Sequence, residues 1–343
     1  MKKLAIVGVL LALIAAVLTA CSNSQPESGG AAGTASDTPL VKAAKKEGSV
    51  RWYSGENPVF TGRVSDAFEK RYGIKVEWTR AVAGDLQQRY STEQKAGTPS
   101  ADVMNTGTQA FYADGQKEGW FVSLADQDIP SLKAWPKNYT YAASAVISIT
   151  PFTLGYNTDL VKPDQVPNTW QDLLKPENRG RIMLLDPRAA PAYLGQVQMF
   201  NKKLGAEFVR DLGSARPTLI QSSVPGAQAL GAGEKAFLFP TLGDFMDPLM
   251  KKGAPIKLKI LDPTTGVEQN MAISTKAAHP SAARLFLDWI LSKEGQDVMI
   301  DEYKVSPARV KDAKNLPPNY VSPGDVTSTP AQREQLLQML NLR

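Results

Sequence analysis

"SVRWYSGENPVFTGRVSDAFEKRYGIKVEW", residues Ser49 to Trp78, carries the pattern that decides the fold. Its opening alternates, with Val50 and Trp52 on one face, and breaks at Gly55, as a strand does where it runs into a loop at its carboxyl end. The next run places Phe60, Val64, Ala67 and Phe68 at helical spacing and stops before Gly73, a residue suited to closing a helix. "IKVEW" then alternates again through Ile74, Val76 and Trp78. Strand, helix and strand in that order predict a βαβ unit, a sheet with helices packed on its faces.

The same grammar returns in "ADVMNTGT" (Ala101 to Thr108) and "RGRIMLLDPRAAPAY" (Arg179 to Tyr193), where buried strands open into small polar loops. Open α/β sheets bind ligands in the crevice beyond the carboxyl ends of their strands, so these loops are candidates for one shared site. Gly, Ser, Asn and Asp also favour turns for backbone reasons, and any one loop reads equally well as a turn. "ISITPFTLGYN" mixes a β-branched run with Pro151 and Gly155, as expected where an extended segment leaves one sheet for another; a single kinked strand is the alternative. Farther on, Ala282, Leu285, Phe286, Trp289 and Ile290 form one apolar stripe of a helix that begins near Pro280. That stripe is core, and it makes His279 a flanking residue of the helix rather than a catalyst.

The amino terminus reads separately. Lys2 and Lys3 precede an apolar run from Leu4 to Ala20, the layout of a secretory signal and shorter than a typical membrane span. Leu18, Thr19, Ala20 and Cys21 match the lipobox, so the chain resembles bacterial lipoproteins, in which the cysteine becomes the lipid-bearing first residue. Cys21 is the only cysteine of the 343 residues, and a free exported thiol would be a chemical liability. From Ser22 to about Thr38 large apolar residues are nearly absent, which predicts a flexible tether. Roughly 300 residues remain, suited to two lobes of about 150 each. Lys and Arg number 39 against 34 Asp and Glu, scattered rather than clustered, so binding to nucleic acid is not expected.

Several enzyme classes lack their parts. A Ser-His-Asp or Cys-His hydrolase would need the single His279, and no G-x-S-x-G elbow is present. A zinc site needs more His and Cys than the chain has, and neither a P-loop nor a G-x-G-x-x-G occurs. A pair of carboxylates, such as Asp186 and Asp244, keeps glycosidase-like chemistry open as an alternative.

"YSG" at the end of the first strand, "PSADVMNTGTQAFYADGQKEGWF", "ITPFTLGYNTDLV" with "PNTWQDLL", and "GVEQNMAISTKAAHPSAARLFLDWILSKEGQDVM" together resemble the extracellular solute-binding proteins of bacterial ABC importers, nearest to the ferric-iron-binding branch. The likeness runs from about Gly48 to Pro307. It implies a two-lobed α/β fold of the type II periplasmic binding protein kind, each lobe a mixed sheet flanked by helices, with chain crossings near Ile149–Gly155 and Gly266–Ala272. The corresponding division is 1–20 signal, 21–47 lipidated cysteine and tether, 48–150 plus 271–343 first lobe, and 151–270 second lobe.

Iron-binding relatives hold their metal largely through two adjacent second-lobe tyrosines. The matching stretch "GEKAFLFPTLGDF" has Thr241 and Leu242 there, Asn57 stands in place of a first-lobe histidine, and Thr106 in place of an acid. No metal and no cofactor are therefore expected. Loop matching instead assigns Ser54, Gly55, Glu56, Asn57, Arg80, Thr106, Gly107 and Thr108 of the first lobe, and Arg188, Tyr193, Ser222, Ser223, Thr241 and Asp244 of the second, to a small organic solute. Arg188 or Arg80 would clamp a carboxylate or phosphate, and the helix amides after Ser222 and Ser223 favour an anion, although Ser223 also suits a simple helix cap. An anionic or polyhydroxylated solute is the expectation, with Glu56 and Asp244 keeping a cationic one open. The expected partner is an ABC permease, and the expected form a lipid-anchored, exported, non-enzymatic monomer. A lipoprotein hydrolase or a ligand-sensing adaptor is the alternative.

Overall fold

The computed structural model describes residues 38–342. The signal segment, Cys21 and the glycine- and serine-rich stretch after it lie outside the described residues. Helix α1 (Pro39–Glu47) leads into β1 (Ser49–Ser54), α2 (Pro58–Tyr72), β2 (Lys75–Arg80), α3 (Ala83–Ala96), β3 (Val103–Thr106), α4 (Gln109–Lys117), the short α5 (Pro130–Lys133) and β4 (Ala145–Pro151). The chain continues through β5 (Thr153–Asn157), the short α6 (Trp170–Leu173), β6 (Ile182–Leu185), α7 (Pro191–Leu204), α8 (Ala206–Ser214), β7 (Thr218–Ile220), α9 (Ser223–Gly231), β8 (Phe237–Thr241), α10 (Gly243–Met250) and β9 (Ile256–Lys259). It returns through β10 (Gly266–Ile273), α11 (Pro280–Leu291) and α12 (Lys293–Met299), and ends in α13 (Pro330–Met339).

These strands make two five-stranded sheets, in the orders β2-β1-β3-β10-β4 and β7-β6-β8-β5-β9. In the first, β1 runs parallel to β2 and β3 while β10 lies antiparallel to β3 and β4. The second repeats the plan: β6 is parallel to β7 and β8, and β5 is antiparallel to β8 and β9. Each lobe is thus a parallel βαβ frame closed by antiparallel strands, and the loops after β1, β3, β6, β7 and β8 all leave carboxyl ends of parallel strands.

The βαβ unit folds as its periodicity dictates. Asn57 caps α2 by accepting the Phe60 amide, and Gly73 ends it at φ 70°. Phe60, Val64 and Phe68 are buried with Val50, Trp52, Phe286 and Trp289 in the first core, and the α11 stripe lies in it throughout. Phe68 meets Phe286 edge to face at 4.9 Å. Trp78 departs from the expected alternation: it sits on edge strand β2 and is 41% exposed. The second core gathers Trp170, Phe200, Phe208, Phe237 and Phe239.

The first crossing lies at Phe152, between β4 and β5, inside the expected range. The second falls at residues 260–265, earlier than expected, because Gly266–Ala272 is already strand β10, paired along β4. The two crossings are tied together: the Phe152 amide donates to Thr265 O and the Thr264 hydroxyl to Phe152 O. Gly266 sits where a Cβ would come within 2.3 Å of the Thr150 carbonyl oxygen, so only glycine lets the crossing strands approach this closely.

Two boundaries differ from the sequence division. Residues 39–47 are not tether but helix, since Val41 and Ala44 bury themselves in the first core. The chain also crosses a third time: Val321, Val326, Leu336 and Leu340 belong to the second core, so the C-terminal end packs on the second lobe rather than on the first. Among the described residues no helix is long and apolar enough to cross a membrane.

Candidate functional site

The two lobes meet at polar side chains from the loops after β1 and β8. Glu56 follows β1 and is buried; Asp244 stands in the first turn of α10, its side chain 8% exposed. Between them lies Lys304, with a side chain 2% exposed. The Lys304 ammonium donates to Glu56 Oε2 at 3.0 Å, Asp244 Oδ2 at 3.2 Å and Thr150 Oγ1 at 3.4 Å, and lies 5.0 Å from the Phe60 ring centroid. Asn57 joins the same carboxylate, its amide nitrogen donating to Asp244 Oδ2 at 3.2 Å, so one side chain caps α2 and reaches the opposite lobe. Beside this cluster the Tyr303 hydroxyl donates to Asp247 on α10 at 3.3 Å.

Burial works against both charge signs here. It pushes the Glu56 carboxyl above its usual range, with the Lys304 charge pulling the other way. For Lys304, burial alone would lower the pKa, but the Glu56 and Asp244 charges outweigh it and the ammonium is held protonated. An ammonium removed from water is costly unless paired, and one of its two carboxylates comes from each lobe.

The remaining candidate residues fall into smaller groups of their own contacts. The Ser54 hydroxyl bonds Thr61 at 2.9 Å, the Gly55 amide donates to Asn105 O at 3.0 Å, and Arg80 Nε donates to the Glu56 carbonyl at 3.1 Å. Thr106 Oγ1 is engaged by Gln87 and Tyr112, each at 3.1 Å. Thr108 precedes α4 without a side-chain cap, and Gly107 lies against Val267. In the second lobe, Tyr193 and Ser223 share a hydrogen bond of 3.2 Å. The capping position of α9 is Ser222, not Ser223, and the Ser222 side chain makes no cap bond.

Arg188 differs from its expected role as an anion clamp. Its guanidinium fork grips Asp186, with Nε at 2.9 Å from Oδ1 and Nη2 at 2.7 Å from Oδ2. That bond is the main reason the Asp186 carboxyl is held below its ordinary range. The supposed carboxylate pair is engaged at both ends, Asp186 by Arg188 and Asp244 by Lys304.

The structure also assembles a serine, a histidine and an aspartate far apart in sequence. His279 Nε2 is 3.3 Å from Ser49 Oγ, and its Nδ1 is 2.8 Å from Asp102 Oδ2. Ser49 opens β1, at the end of the strand opposite to the Glu56 loop. The nearby amides of Ser281 and Ala282, at the start of α11, are held by the Glu47 carboxylate, which leaves them no role in stabilising an oxyanion. Asp102 also accepts the backbone amides of Arg51 and His279, so the group anchors α11 to the sheet.

Sequence reasoning missed Lys304, Thr150, Glu268 and Ser148, whose hydroxyl lies 3.5 Å from Glu56 Oε1. Ser148 and Thr150 lie in a run that reads as strand core, and nothing local sets Lys304 apart from the other lysines. Glu268, buried on β10, accepts from the hydroxyls of Tyr320 and Ser322.

Two lobes of this topology, joined by paired crossings and meeting at a polar cleft, have counterparts among known proteins. The family model described as "Bacterial extracellular solute-binding protein" matches residues 50–302. The chain belongs to this family. An uncharacterized protein of Haemophilus influenzae is 27% identical over 271 residues, covering 75% of this chain and 76% of the relative. Among solved structures, the substrate-binding protein of an ABC transporter from Agrobacterium tumefaciens superposes with a TM-score of 0.71 at 18% identity, over 88% of this chain and 96% of that one. Iron-bound HitA from Pseudomonas aeruginosa superposes with a TM-score of 0.68 at 19% identity, over 85% and 98%. These likenesses identify the type II periplasmic binding protein fold. Among the described residues no three His, Cys, Asp or Glu lie together as a possible metal shell.

Proposed function

We propose that the chain captures a small polar organic solute between its two lobes and presents the closed, loaded form to the permease of an ABC importer, without chemical turnover. The observation that carries this reading is the cluster in which Glu56 and Asn57 of one lobe and Asp244 of the other converge beyond the carboxyl ends of their strands. A permease must tell loaded from empty receptor, and a solute shifts that balance only through contacts that are better in the closed state. Contacts shared by both lobes are of this kind. Family membership supports the reading, and the ABC-transporter protein from Agrobacterium tumefaciens shares the fold. The engagement of Arg188 by Asp186 removes the main ground for preferring an anion, while Tyr193, Ser223 and Thr241 still supply hydroxyls for a polar solute.

We further propose that Cys21 carries lipid and holds the exported protein at the membrane; Cys21→Ser should release it from the membrane fraction or leave the precursor uncleaved. Native mass spectrometry of gently purified protein tests the main reading. One small molecule per chain, recovered unchanged after incubation, is the expected result, and its conversion to a product would overturn it.

A further inference from the structure

We propose that Lys304 is a tethered occupant of the solute cleft, locking the lobes together in the absence of solute, and that the solute replacing it carries a cationic nitrogen. This rests on the reading of the chain as a solute-binding protein and deepens it.

Lys304 comes from the segment after α12, which joins the first lobe through the pairing of Val305 with Ile149. Glu56 and Thr150 belong to the same lobe as Lys304 and Asp244 to the other, so the complete ion triplet exists only while the lobes touch, and opening strips Asp244 of its ammonium. The triplet therefore behaves as a latch conditional on closure. A space of about 30 Å³ remains beside it, lined by Thr153, Gly243 and Tyr303 among others. That space is the size of a water molecule, and the carboxylates of the cluster are themselves occupied by the Lys304 ammonium, which an incoming cation must displace.

Hydrogen-bond capacity then decides which solute. The three ammonium hydrogens are directed to Glu56, Asp244 and Thr150, leaving none for an anion. A carboxylate oxygen, Asp244 Oδ1, is buried without a partner, and so is the Thr241 hydroxyl, which can accept or donate. Charge points the same way, since two carboxylates face one ammonium. The next acidic groups have their own cations, Asp301 with Arg63 and Asp247 with Lys251. A buried site in which two carboxylates share one ammonium supplied by the chain itself, with a carboxylate oxygen still unpaired, fits a solute bearing an ammonium group. Competition with the tether lowers the apparent affinity of such a solute by the fraction of receptor that is self-closed.

The test uses the purified full-length protein, Lys304→Ala and Lys304→Gln, with n-butylammonium as a probe of the lysine side chain and sodium phosphate and sodium butyrate as anionic controls at matched ionic strength. The parent should be compact by small-angle X-ray scattering. Both variants should be more open and should close again with butylammonium alone. Calorimetry should show butylammonium binding at least roughly tenfold tighter to Lys304→Ala than to the parent. If the variants do not stay soluble, the parent alone decides: its melting temperature should rise with butylammonium and not with the anions. Unchanged scattering in the variants, or closure and stabilisation by phosphate or butyrate, would overturn the proposal. A copurified solute that proves anionic would also sink it while leaving the receptor reading intact. If no solute and no probe binds any of the proteins, both readings fall.

Discussion

Arg188 shows how a residue's neighbours overrule its type. A guanidinium on a polar loop suggests a ligand clamp, yet this one is 42% exposed and grips an aspartate whose side chain is 2% exposed. Arg188→Ala should therefore change solute affinity by less than about twofold, the range typical of exposed side chains, as titration calorimetry would measure. It should lower stability at neutral pH, where Asp186 is charged, and the loss should shrink in acid as that carboxyl protonates. Glu268 has the opposite sign. Burial raises its carboxyl from the ordinary 4.5, so above that pH the folded state holds more protons than the unfolded one and this group's contribution to stability falls as pH rises. Glu268→Gln should flatten that fall in thermal unfolding followed from about pH 5 upward. An unchanged profile would mean that the carboxyl is not desolvated.

Among the helices and strands, the docking of α13 on α8 is the contact least visible in the chain. A Cβ on Gly213 would lie 2.7 Å from Met339 O and 2.8 Å from the Leu340 backbone. Alanine is ordinarily the better helix residue by roughly 0.5–1 kcal/mol, but here it forces two backbones apart, and overpacking of this kind costs about 1–3 kcal/mol. Gly213→Ala should therefore destabilise the protein in urea unfolding. On α2, a Cβ at Gly62 would meet nothing within 4 Å, and Gly62→Ala should stabilise by about 0.4–1 kcal/mol through the unfolded chain. Opposite signs for one substitution in two helices would establish α13 as part of the second lobe's packing; equal signs would remove it.

For the whole molecule, closure depends on how near α10 comes to the 301–304 segment. A Cβ on Gly243 would fall 2.0 Å from the Tyr303 ring, so Gly243→Ala should hold the lobes apart while leaving both cores intact. Faster hydrogen exchange along α10, with unchanged protection in β1 and β6, is the expected outcome. Unchanged exchange in α10 would show that Tyr303 yields without opening the cleft.

Asp244 was suggested only by the family resemblance, whereas the repeated βαβ frames, the start of α11 at Pro280, the buried stripe of that helix and the loop after β1 that carries Glu56 and Asn57 were legible in the order of the amino acids. Those features rest on strand and helix periods and on capping residues, which act over a few neighbouring positions. Long-range packing was needed to set Lys304 between Glu56 and Asp244, to give Asp186 the Arg188 fork, to bond His279 to Ser49 and Asp102, and to return the chain to the second lobe after α12. Lys304 is 248 residues from one of its carboxylates and 60 from the other. An ion pair in water is worth little and has no preferred partner. Only when the crossing strands bring two lobes together and exclude water does one lysine among many acquire partners it cannot leave unpaired.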